Sequence, residues 1–435
     1  MKNEKRDGYH KTEVGWIPTE WGCDRLLEHT SKIGSGVTPT GGEAVYESHG
    51  IPFIRSQNIL IGEFTKKGLA YIPSDVHDEM QNSKVIPGDV LYNITGASIG
   101  RCCLFPQDLK EANVNQHVCI IRPTRELTAD FLMQVLNSSL GERQLYQSQA
   151  GGGRQGLNYK NLGAFYMPFP SFDEQLKISQ ILSTWDRAIE RVQRLIEAKQ
   201  RQKKGLMQGL LTGKLRFPEF GEPVDTEGDL PSGWNKTKLK NVADIIVSNV
   251  DKLTNENESD VLLCNYMDVY SNEYITSKIV FMRATASQPE ISKYRLVRGD
   301  VLLTKDSETS EDIASTAVLM EDIDDLICGY HLAILRPKKD LVNPVFLSKH
   351  LSFGNAHKHF VTHANGVTRY GLSLSSVINT PIFLPCLDEQ TKIADLIMEI
   401  DREITIYSQI LEMYTHQKKG LMQKLLTGEI RVKVG

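Results

Sequence analysis

Between residues 170 and 213, apolar side chains return at Ile178, Ile181, Trp185, Ala188, Val192 and Leu195, in alternating steps of three and four. That spacing predicts a helix whose single apolar stripe faces a partner helix. Ser171 with Glu174 three residues later offers a capping box, and Thr212-Gly213 supplies glycine where a left-handed cap is easiest. Residues 386–431 repeat the design with Ile393, Leu396, Ile400, Tyr407 and Ile410, closing at Thr427-Gly428. Each helix should run for roughly 40 residues, or ~60 Å at ~1.5 Å per residue. Two matching stripes in one chain are expected to pack on each other, antiparallel, with Leu206 and Leu421 continuing the seam. On that seam Gln202 and Gln417 would fix the register. Gly205 and Gly420, each costing about 1 kcal/mol relative to alanine inside a helix, would let two backbones approach closely.

The match between the helices is literal. QKKGLMQGLLTG (202–213) returns as QKKGLMQKLLTG (417–428), and DEQLKISQILSTWDRAIE (173–190) as DEQTKIADLIMEIDREIT (388–405), each about 215 residues further on. Fainter echoes precede them: IPTEW and LPSGW, PGDVLYN and RGDVLLT, HVCIIRP and HLAILRP. A period this long means a duplicated domain with its arm, since solenoid repeats run to about 20–50 residues. Residues 24–85 and 237–297 hardly match, so two like scaffolds carry two different faces. The globular parts read as α/β (α+β), mixed strands with short helices, with DVLYNI (89–94), VCIIRP (118–123), DVLLT (300–304) and LAILRP (332–337) as core strands. The resulting division is 1–169 and 230–385 for the globular domains, 170–216 and 386–431 for the helices, and 217–229 for a linker.

At 435 residues the chain exceeds one ordinary core, and 40% apolar with 24% charged residues suits a soluble globular protein. No signal-length apolar run follows MKNEKRDGYH, no stretch is long enough to span a membrane, and the seven cysteines form no CxxC pair. These features point to a cytoplasmic protein with reduced thiols and no membrane partner. The net charge of −4 weighs against a nucleic-acid binder, although the first helix is basic, with Arg187, Arg191, Arg194, Lys199, Arg201, Lys203 and Lys204. GGGRQG (151–156) matches GxGxxG but precedes LNYKNL instead of joining a strand to a long helix. His350, His357, His359 and His363 lack metal spacing, and NPVF (343–346) lacks the second proline of the NPPF motif of amino-methyltransferases. With no catalytic constellation and no metal site, the chain reads as a binding or assembly protein.

The openers IPTEW and LPSGW, the helix starts PSFDEQLKI (170–178) and PCLDEQTKI (385–393), and the doubled KKGLMQxLLTG close together form one unit written twice. The pattern resembles, over nearly the whole chain, the specificity subunit of Type I restriction–modification systems. The resemblance implies two target recognition domains in tandem, each reading one half of a bipartite, asymmetric double-stranded DNA target. It also implies that the helices pair as an intramolecular antiparallel coiled coil that sets the unread spacer. The chain itself would catalyse nothing and bind no cofactor. Two modification subunits using S-adenosylmethionine to methylate adenine, and two restriction subunits using ATP and Mg²⁺, would be its partners. Two other readings stand beside it: a coiled-coil adaptor that does not read DNA, and a nuclease or methyltransferase with degenerate motifs.

Base readout needs donors and acceptors presented on loops. In the first half, Arg55, Gln57 and Asn58 follow a strand-like run, and Arg154, Gln155 and Asn158 lie in or beside the glycine loop. In the second, Asn265 and Tyr266 hold the place of the first group, Lys305 follows DVLLT, and Thr368 with Arg369 stands where Arg154 does. The acidic stretch 299–326, including Asp300, Asp306, Glu308 and Asp312, is expected to face away from DNA.

Overall fold

In the computed structural model, which describes residues 7–149, 156–224 and 230–434, strand Val118–Pro123 has buried side chains on both faces. Cys119 and Ile121 share one core with Val90 and Tyr92, whereas Val118 and Ile120 share another with Leu91, as a period of two requires. Thr30–Ser35 and Val90–Asn93 flank the strand, both antiparallel, with Cys102–Leu104 beyond. The second core is closed by a mixed sheet in the order Ala70–Ile72, Ile51–Ile54, Ala112–Val114 and Lys84–Val85, its middle pair parallel. These strands belong to a unit made of residues 1–194 with 408–435.

Residues 195–407 form a second unit on the same plan. Leu332–Pro337 lies between Ala243–Val247 and Val301–Thr304 in a five-stranded sheet. Leu332 and Ile334 face one core, Ala333 and Leu335 the other. A three-stranded sheet, Met282–Ala286, Ser259–Cys264 and Leu326–Cys328, stands where the first unit has four strands, and its last two strands are again parallel. The four strings expected as core strands are central strands of these sheets. The chain carries two α/β domains in tandem.

The long helices are α1, Phe172–Leu210, and α2, Leu387–Leu426. In the first unit, Ile178 and Leu182 of α1 share a core with Met422, Leu425 and Leu426 of α2. Trp185 meets the edge of Tyr414 at 5.6 Å, and Lys418 Nζ lies 2.5 Å from Asp186 Oδ1. In the second unit, Leu210 packs with Ile393 and Ile397, Lys203 lies 2.6 Å from Asp401, and Lys199 lies 2.5 Å from Glu403. Within each unit the partners' numbers run in opposite directions, so the segments are antiparallel. Of the expected seam, Ile178, Val192, Ile393 and Ile400 are buried, and Ile181, Trp185, Leu206, Leu396, Tyr407, Ile410 and Leu421 are half-buried.

Five expected seam positions need correction. Leu195, Gln202, Gly205, Gln417 and Gly420 are exposed, and a Cβ on either glycine would meet nothing within 4 Å. Close approach of backbones therefore does not explain these glycines. For Leu195, Gln202 and Gln417 the reason is geometric, since a stripe in steps of three and four drifts by roughly 20° per heptad around a straight helix; Gly205 and Gly420 stand one place before the half-buried Leu206 and Leu421, off those steps.

The repeated motifs have local causes. Ser171 and Glu174 form the expected capping box, each backbone N–H donating to the other's side chain at 3.4 Å. Glu174 also accepts from Trp21 Nε1 at 3.1 Å and from Arg431 Nε at 2.9 Å. In the second unit Glu389 takes Arg216 through two bonds of 2.9 and 2.8 Å. The adjacent glutamines act alike: Gln175 accepts from Thr128 N–H and Gln390 from Asn343 N–H, both at 2.9 Å. Gly213 and Gly428 adopt φ of +75° and +68°, and a Cβ there would collide with Pro231 and Pro18 of the LPSGW and IPTEW openers. The doubled DEQ, LLTG and proline–tryptophan strings thus meet in one junction per unit.

Candidate nucleic-acid interface

In the second unit, strand Val301–Thr304 runs out at Lys305, and Asp306–Ser307 then pairs antiparallel with Tyr370–Gly371. This register sets Arg369 beside Asp306, with a guanidinium Nη2 2.6 Å from Oδ1. The other carboxylate oxygen, Oδ2, lies 2.7 Å from His331 Nδ1. Tyr330 covers the His331 ring at 3.7 Å, and Tyr266 meets it edge-on at 6.5 Å. Tyr266 opens the short helix Tyr266–Tyr270 and stacks on Tyr270 at 5.6 Å. Burial raises the pKa of the Tyr266 phenol, a bond with Ser307 opposing it, so the hydroxyl stays protonated at neutral pH. A cleft of about 870 Å³ opens between these elements, lined by Tyr266, Tyr270, Asp306, Asp312, Thr368 and Arg369.

Of the expected second-half residues, Tyr266, Thr368 and Arg369 come together in this cleft. Lys305 stays half-buried behind it, its backbone N–H donating to the His331 carbonyl, and burial lowers the pKa of its ammonium. Asn265 caps the short helix, its N–H donating to Asp268 Oδ2 at 2.7 Å, and its own amide donates to the Leu263 carbonyl. The acidic stretch, expected to face away from DNA, divides between the interior and the cleft. Asp300 is buried beneath Arg336, and Asp306, Glu308 and Asp312 line the same cleft as Arg369.

The first unit has the same frame with different side chains. Thr95 occupies the place of Asp306 and forms a β-bridge with Gly156, as Asp306 pairs with Gly371. Thr95 Oγ1 lies 2.6 Å from His117 Nδ1, His117 Nε2 lies 3.1 Å from Gln116, and Gln116 bonds Thr38 at 2.5 Å. Arg154 and Gln155 lie outside the described residues. Arg55 and Gln57 converge on the Gly68 carbonyl at 2.8 and 3.1 Å, and the Arg55 guanidinium lies over Tyr46. Asn58 is fully buried, accepting from the Arg55 N–H and donating to the Thr65 and Lys67 carbonyls. Asn158 caps helix Tyr159–Gly163 through the Asn161 N–H at 2.8 Å. Of the three asparagines expected at bases, Asn158 and Asn265 cap short helices, and Asn58, third residue of helix Ser56–Asn58, bonds back to the backbone of its cap Arg55.

Thr95, Gln116, His117 and His331 were not among the residues expected from the sequence, and Asp306 was expected only as part of an acidic stretch facing away from DNA. The signal was available: HVCIIRP and HLAILRP both begin with histidine, at the mouth of the same strand. Asp24, Glu28 and His29 bring ligand-type atoms within 4.8 Å of one another. The bond from His29 to Asp24 and its stacking on Phe169 account for that cluster without an ion.

The family described as Type I restriction modification DNA specificity domain matches residues 30–200 and again 231–413, which takes in most of each globular part and the first two-thirds or so of each long helix. The chain belongs to that family. A putative specificity subunit named MjaX from Methanocaldococcus jannaschii is 23% identical over 99% of this chain and 98% of its own length. The EcoKI specificity subunit of Escherichia coli is 22% identical over 96% of this chain and 90% of its own. Among solved structures, the S subunit from M. genitalium aligns with a TM-score of 0.57 at 14% identity, covering 93% of this chain and 96% of that one. A chain from a type I R-M system aligns at 0.54 and 20% identity, covering 95% and 99%. At these identities the structures establish the shared fold of the specificity family. Among the described residues no helix is long and apolar enough to cross a membrane.

Proposed function

We propose that this chain is the DNA-recognition subunit of a Type I restriction–modification complex, with each globular half (1–169 and 230–385) reading one half of a bipartite, asymmetric target. The observation that carries this reading is one frame with two faces. Both units keep the same strand register, the same histidine and the same junction. The side chains at the hairpin mouth change from Thr95 with His117 to Asp306 with His331 and Arg369. A scaffold held constant under a changed polar face is what two readers of different sequences need.

The helices, 170–216 and 386–431, act as an intramolecular antiparallel coiled coil whose length sets the spacer between half-sites. Support comes from the opposed contacts of α1 and α2 inside each unit, and from arms long enough to bridge half-sites one helical turn apart, roughly 34 Å. The duplicated junctions give two modification subunits equivalent places to dock, and two restriction subunits join the assembly. The chain contributes recognition and no catalysis. S-adenosylmethionine, ATP and Mg²⁺ serve the partner subunits. Mapping methylated adenines in cells with and without this chain tests the reading. It predicts a bipartite motif that vanishes when the chain is removed, and a methylation pattern independent of the chain would refute it.

A further inference from the structure

We propose that Arg369 reads a guanine in the second half of the target and that Asp306 is the residue positioning it. This rests on the DNA-recognition reading above and names the chemistry of its second site. The charge of the cleft decides between the two ways an arginine meets DNA. Asp306, Glu308 and Asp312 line the cleft around the Arg369 guanidinium. Phosphates are repelled from such a place, so it does not serve as a backbone grip. A base edge carries no net charge and is tolerated there.

The geometry suits guanine. A guanidinium has five donors, and one of them is spent on Asp306 at 2.6 Å. The remaining fork matches O6 and N7 of guanine in the major groove, the pairing arginine makes most often. Asp306 cannot swing away to release the fork. Its backbone is paired with Gly371 and its second oxygen is held by His331. Arg369 is 60% exposed, so the fork reaches a ligand without rearrangement of the cleft. The first unit has Thr95 at the buttress position, which offers no carboxylate, so among the described residues the device stands in the second unit.

The test uses the full chain assembled with its modification subunits, with methylated sites mapped in cells. For Arg369→Ala, one G·C position in the second half-site should lose discrimination by about ten- to a hundred-fold, the loss expected for one bidentate contact. The first half-site and the spacer should be unchanged. Arg369→Gln should shift preference at that same position toward adenine, whose N6 and N7 an amide matches. Asp306→Asn should relax the same position and no other, an effect that a merely structural role would not confine to one base pair. If Arg369→Ala methylates the native motif with undiminished discrimination, the inference is overturned. It is also overturned if the purified complex loses affinity equally for all duplexes, which would make Arg369 a phosphate contact. Failure of the broader reading looks different, since the unaltered chain would then direct no sequence-specific methylation.

Discussion

Replacing Glu389 by glutamine leaves the Arg216 guanidinium without its carboxylate in a place where the two side chains are 2% and 1% exposed. Breaking a buried pair from one side costs about 3–5 kcal/mol, because the surviving charge stays desolvated. Glu174→Gln removes the matching carboxylate of the first unit, but there Arg431 is 40% exposed and can turn to water or to Glu20. What remains is the weakened bond to Trp21 Nε1, so that variant should lose only about 1–2 kcal/mol. Urea denaturation of the full chain, following fluorescence and far-UV dichroism, reads both. The Glu389 variant should be the more damaged by at least about 1 kcal/mol, and Arg216→Met should recover part of that loss in the double variant. Equal losses, or a larger loss at Glu174, would refute the claim that desolvation of Arg216 sets the difference.

Other expectations follow from the same structure. Gly420→Ala, on an exposed helical face with open space, should stabilise by up to about 1 kcal/mol, whereas Gly428→Ala, at positive φ and against Pro18, should destabilise; paired melting curves decide it. Leu425→Ala should cost about 2–5 kcal/mol, as for other buried leucines, measured by urea midpoint. Burial pushes the His350 pKa down to about 4. Its folded value lies below the unfolded one near ~6.5, so the stability it supports is complete above pH ~6.5 and is lost as pH falls toward 4, by about 3 kcal/mol in all. His350→Gln should flatten that acid limb in denaturation curves taken between those pH values.

Much of the fold was legible because it rests on periodicities. The apolar runs of VCIIRP and LAILRP, buried on both faces, and the Ser171–Glu174 cap are local and in place, as are the early positions of the three-and-four spacing in each helix. The role of Glu174 and Glu389 was not legible, since their arginines come from just beyond the far end of the other helix. The local roles of Asn58, Asn158 and Asn265 were not legible for a chemical reason: the amide that reads a base edge is the same amide that bonds the backbone at a helix start. Arg369 was visible as a candidate, but Asp306 was not, because only the pairing of Asp306–Ser307 with Tyr370–Gly371 makes them neighbours.

The most direct test of two independent readers exchanges residues 24–165 for the corresponding part of another specificity subunit and maps methylated adenines afterwards. Independent readers should yield a new first half-site joined, across the same spacer, to the original second half-site. Methylation that keeps the original motif, or that changes in both halves at once, would contradict it.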